Sequence, residues 1–130
     1  MTGLVLVPAL DHDAMMLARF GQAVGPSGRL ERRIVANLIA HMEEAGFRAD
    51  RVFDGEDDVH VIDMKSAMEL IFNLDEATLW FFKEGAPHKT HGVFLVLGNG
   101  CDIVSDWSYS DRDGDGFDAA MRAFEPEEFA

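Results

Sequence analysis

Hydrophobic positions along this 130-residue chain follow two periods, and the switches between them mark out its elements. The clearest helical period lies in RLERRIVANLIAHMEEAGF, where Leu30, Ile34, Leu38 and Met42 form a stripe widened by Val35 and Ile39. It predicts a helix over 29–47, with Gly46 placed as the C-terminal cap. Glu31, Arg32, Arg33, Asn37 and Glu44 fall mostly off the stripe and are expected in solvent. Upstream, GLVLV at 3–7 reads as a short strand. Met16, Phe20, Ala23 and Val24 recur as in a helix capped by Asp11 or Asp13. GPSG at 25–28 reads as a break between the two helices.

The period then changes to that of strands. RADRVF and DVHVID flank the acidic turn DGED and predict a hairpin with Val59 and Val61 on one face. DMKSAMELIFN follows as a short helix. Asp63 is positioned to cap it, and Ser66 with Glu69 matches a capping box. The segment 77–83 is a strand apolar on both faces, since Leu79 and Phe81 alternate with Trp80 and Phe82. EGAPHKTH is expected as a loop. GVFLVLGNGCDIVSDW then predicts a hairpin turning at Asn99-Gly100, a pair suited to a two-residue type I′ turn. That register sets Gly98 against Cys101, Val96 against Ile103 and Phe94 against Ser105. It puts Phe94, Val96 and Ile103 on one face, and Val93, Leu95, Leu97 and Val104 on the other. A last helix is expected through FDAAMRAF. The outcome is a single α+β domain over 1–130. A mainly antiparallel sheet, hairpin plus three-stranded meander, packs with one long and about three short helices.

Charge narrows the function. Eleven Lys and Arg against 24 Asp and Glu leave a net charge of −13. Nine of those acids, against Arg112 and Arg122, follow Cys101. Such a chain is repelled by phosphate backbones, so direct nucleic-acid binding is not expected. The excess charge serves solubility, or it attracts a basic protein partner. The opening MTGLVLVPALDHD has no basic start, and Pro8 and Asp11 interrupt its apolar run, which reads as neither a secretion signal nor a membrane span. A soluble, cytoplasmic protein is the expectation. The lone Cys101 has no partner for an intramolecular disulfide.

Candidate chemistry is sparse. SYSDRDGDGFDAAM carries Asp111, Asp113, Asp115 and Gly116 in the order of a calcium loop, with oxygen ligands at positions 1, 3 and 5 and glycine at 6. Position 8 is then Asp118 and position 12 is Arg122, a cation where the bidentate glutamate belongs, and the preceding segment reads as a strand. A full EF-hand is excluded. A half-loop completed by the Phe117 carbonyl, Asp118 and water retains a weak capacity for calcium. The simpler reading is a turn entering the last helix. His88 and His91 in PHKTH are three apart, a spacing that can ligate a metal, but no third or fourth ligand can be assigned beside them. His12, His41 and His60 are scattered, with His12 between acids and His41 at a helix boundary. Cys101 beside Asp102 is not read as a nucleophile; it reads as a small buried filler. Ser105 and Asp106 have no assignable histidine. The acidic pairs Glu43-Glu44 and Asp57-Asp58 have no specificity in so acidic a chain. No catalytic residue, cofactor site or metal site is therefore assigned.

The run LGNGCDIVSDW resembles a motif of small bacterial proteins that carry a similar glycine turn followed by an Asp-Val-Ile-Ser-Asp-aromatic run. The resemblance covers roughly the last third of the chain and implies a hairpin there, with no activity attached. The function read from the sequence is a small non-catalytic interaction module. One alternative is an acidic inhibitor or nucleic-acid mimic acting on a basic partner. The other is a small enzyme or ligand-binding protein with dispersed site residues. A sheet apolar on both faces, with helices gathered on one side, further predicts a homodimer that covers the other side.

Overall fold

The computed structural model describes residues 25–108 and 115–129. The strand expected at 3–7 and the helix expected before residue 25 lie outside the described residues. The first described element, α1, spans Gly25–Glu44. GPSG is thus the first turn of this helix and not a break before it. Pro26 is compatible with that position, because its fixed φ is helical and a first-turn N–H has no intrahelical acceptor to lose. The predicted stripe is fully buried at Ile34, Val35, Leu38, Ile39 and Met42. Gly46, left-handed at φ 95°, ends the helix with its N–H donating to the Glu43 carbonyl at 3.0 Å.

Among the described residues five antiparallel strands follow: β1 (Phe47–Phe53), β2 (Asp58–His60), β3 (Glu76–Lys83), β4 (Ala86–Val96) and β5 (Val104–Trp107). Their spatial order is β2-β1-β3-β4-β5. The predicted hairpin and meander are therefore two halves of one sheet, joined where β1 pairs with β3, and the class is α+β as expected. Asp54 closes the β1–β2 turn, its carboxylate accepting from the Glu56 and Asp57 N–H groups at 2.9 and 2.8 Å. Asp50 is an extra residue on β1. Ala49 faces Phe81 and Arg51 faces Trp80, so the bulge at Asp50 lets Phe47, Ala49 and Val52 share one face.

Helix α2 (Met64–Ile71) is capped by Asp63, and the reciprocal partner is Ser66; the Ser66–Glu69 box read from the sequence does not form. Helix α3 (Phe117–Ala123) follows β5, and short 3-10 turns occupy Gly100–Asp102 and Pro126–Phe129. Two expectations for the meander are corrected. EGAPHKTH is not a loop: β3 and β4 are joined by a two-residue turn at Glu84-Gly85, and β4 already begins at Ala86. The Asn99-Gly100 turn is not a type I′ hairpin, since Asn99 has φ −98° and Gly100–Asp102 coil into a 3-10 turn. The Leu95–Val104 register holds and Val96 N–H still donates to the Ile103 carbonyl, but a bulge then sets Phe94 against Asp106. The 3-10 turn also rotates Ile103 into the core, away from the face of Phe94.

Candidate interaction surface

The two faces of the sheet have opposite surroundings. Ala77, Leu79 and Phe81 of β3, with Val93 and Leu95 of β4 and Phe47 and Val52 of β1, form one core with the apolar residues of α1, α2 and α3. The opposite face carries Arg48, Arg51 and Phe53 of β1, Thr78, Trp80 and Phe82 of β3, and Gly92 and Phe94 of β4. No helix among the described residues packs on this outer face. Phe53 remains 37% exposed and Phe94 41%, while Trp80 and Phe82 are half-buried. The cross-strand register aligns Phe53, Thr78 and Phe94 in one row and Arg51, Trp80 and Gly92 in the next. Gly92 is required by close approach: a Cβ there would lie 3.0 Å from Thr78 Cγ2 and 3.2 Å from the Trp80 ring. Trp80 therefore extends toward β4 on one side, and on the other the Arg51 guanidinium sits 5.5 Å above its ring.

The candidate polar residues are dispersed. Asp111 and Asp113 lie outside the described residues. Asp115 belongs to a buried hydrogen-bonded pair, its Oδ2 2.8 Å from His91 Nε2, with the two side chains 4% and 3% exposed. His91 stacks on Phe117 at 4.2 Å and 7°, with Phe47 edge-on at 5.9 Å. Burial pushes the Asp115 carboxyl up. The His91 bond, the Phe117 N–H and the charges of His91 and Lys89 outweigh that and hold it below the usual carboxylate range. His88 and His91 lie on β4, where a three-residue offset places them on opposite sides of a strand, and His88 is exposed while His91 is buried. The acid that accompanies His91 is 24 residues away in sequence, and no spacing signal points to it.

Glu31, expected in solvent, is 4% exposed. Its carboxylate accepts from the N–H groups of Gly98 and Gly100 at 3.1 and 2.6 Å, which clamps the β4–β5 connection to α1. The spacing held this signal, because residue 31 precedes Ile34 by three and Val35 by four, on the buried stripe itself. Gly98 and Gly100 have φ of 95° and 60°, so glycines present both N–H groups at little conformational cost. His12 lies outside the described residues. His41 Nε2 is 2.8 Å from the Ala120 carbonyl, and His60 is exposed opposite Arg51. Cys101 is half-buried in the 3-10 turn and is not an enclosed filler on a strand. Ser105, Asp106, Glu43, Glu44, Asp57 and Asp58 are exposed. Arg122 and the Trp107 indole hold Asp118 below the usual carboxylate range. Among the described residues no group of three His, Cys, Asp or Glu converges as a metal site would require, and no helix is long and apolar enough to cross a membrane.

The described residues thus offer a partly exposed aromatic sheet face and structural polar clamps, without a convergent set of reactive groups among them. Comparison with protein-family models, with curated proteins and with solved structures gives no match.

Proposed function

We propose that this chain is a small, non-catalytic interaction module that works as a homodimer through the outer face of its sheet. The carrying observation is the row Phe53–Thr78–Phe94. Thr78 lies on β3, the middle strand of five, and the two exposed phenylalanines sit one strand to either side of it. A twofold axis along β3 exchanges the strand positions on either side, so Phe53 of one copy meets Phe94 of the other, twice. Such self-complementarity is the requirement of an isologous dimer. The same row continues to Asp58 of β2 and Asp106 of β5, so the operation sets two exposed carboxylates opposite one another at the rim, and rising salt is expected to favour the dimer.

Light scattering after size exclusion at micromolar concentration is expected to give twice the chain mass. Phe94→Glu, placing a charge in the middle of the buried face, is expected to give one chain mass with an unchanged far-ultraviolet circular dichroism spectrum. A wild-type mass of one chain across the concentration range would contradict the proposal, as would a variant that remains dimeric.

A further inference from the structure

A second surface lies on the helical side of the fold, remote from the outer sheet face. The C-terminal half of α1 and the segment after α3 enclose a cleft of about 260 Å³. Its aromatic wall consists of Phe124 and Phe129, stacked with centroids 5.8 Å apart and planes 26° apart, with His41 tilted against Phe124 at 5.5 Å. Its rim carries Glu44, Glu125 and Glu128. The wall is anchored at two points. Arg33 Nη1 donates to the Phe129 carbonyl at 2.6 Å, and His41 Nε2 donates to the Ala120 carbonyl at 2.8 Å. The second bond fixes the Nε2 proton, so in the neutral ring Nδ1 is an acceptor.

The carboxylates of this cleft favour a cation. No Lys or Arg lines it, and none of the ion pairs among the described residues involves Glu44, Glu125 or Glu128. The last turn of α1 contributes the negative end of the helix dipole. Aromatic faces beside carboxylates suit a guanidinium better than a compact ammonium. The planar group stacks on a ring and still directs several N–H donors to separate oxygens. We propose that this cleft is a docking site for an arginine side chain of a basic partner protein. The site is independent of the dimer face, because its lining residues come from α1 and the C-terminal segment and none from the outer face of the sheet.

The test uses the full chain and a peptide probe, acetyl-Gly-Arg-Gly-amide, followed by the NMR resonances of the His41, Phe124 and Phe129 rings. Saturable shifts of these rings are expected, weakening as salt rises. The citrulline counterpart, which keeps the shape and loses the charge, is expected to leave them in place. Replacing Glu125 and Glu128 together by Gln is expected to raise the half-saturation concentration roughly fivefold, as for the loss of exposed ion pairs. Neutralising Glu56 and Asp57, two exposed acids of the β1–β2 turn, removes the same net charge and is expected to change nothing at the cleft. The proposal is overturned if the rings do not respond or the citrulline peptide shifts them equally. Equal weakening by the Glu56 and Asp57 pair would also overturn it, since that is attraction to overall charge.

Discussion

The two faces of β3 carry side chains of similar hydrophobicity and have opposite fates. Leu79 and Phe81 are fully buried under α1, α2 and α3, while Trp80 and Phe82, one residue away, sit half-buried on a face that no described helix covers. Intrinsic hydrophobicity does not separate the pairs. The hairpin connections, the capping of α2 by Asp63 and the Glu31 clamp together bring the helices to one side of the sheet. The inner face then works as a core, and the outer face retains apolar surface of the kind found at interfaces.

The largest expected effect sets one face directly against the other. Phe81→Ala should lower unfolding free energy by about 3–5 kcal/mol, the range for truncating a buried phenylalanine. Phe94→Ala, measured at a concentration where the chain is monomeric, should cost less than about 1 kcal/mol because its site is already partly hydrated. Equal losses in denaturant titrations would erase the distinction between the faces.

A smaller effect concerns how the helical side is fastened. Glu31→Ala leaves the Gly98 and Gly100 N–H groups without their acceptor, and a cost of about 1–3 kcal/mol is expected from the same titrations. The loss should appear as earlier exchange of amides in the Leu97–Ile103 connection. Stability unchanged to within error would mean that the clamp is incidental.

Next in size is the acid limb of the stability curve. The folded-state pKa of Asp115 is depressed, so its stabilising contribution is complete above the unfolded value, near about 4. It is lost as pH falls through the lower folded value. Asp115→Asn should therefore reduce stability at neutral pH and flatten the decline between neutral and strongly acidic conditions. An acid limb identical to that of the wild type would show that the His91 pair contributes nothing to it.

The features legible in the sequence are those fixed by local periodicity. The α1 stripe, the β1–β2 hairpin, the Asp63 cap and the double-sided apolarity of β3 all depend on residues a few positions apart. Features set by tertiary partners were not legible. Asn99-Gly100 reads as a two-residue turn until Glu31, 67 and 69 residues from Gly98 and Gly100, draws their N–H groups toward α1. PHKTH reads as a loop because polar residues alternate poorly with Pro87, yet Phe82 and Phe81 pair across to Thr90 and His91 and extend β4. Asp115 reads as part of a metal loop, and only the fold brings it to His91. The parity of β1 depends on a bulge at Asp50 that the pattern FRADRVF does not announce. The Phe53–Thr78–Phe94 row was equally hidden, since it requires the β1–β3 pairing that joins hairpin to meander.

Trp80 lies in the middle of the outer face, on the central strand, and so reports directly on whether that face is the proposed interface between two copies. Trp107→Phe leaves Trp80 as the single tryptophan, because the chain has two. Its emission and its acrylamide quenching can then be followed as the protein is diluted from the dimeric range. A blue-shifted, protected Trp80 is expected at high concentration, becoming red-shifted and more quenchable on dilution, in step with the fall in mass. Emission and quenching that stay constant while the mass halves would place the interface elsewhere and rule out dimerisation through the outer face.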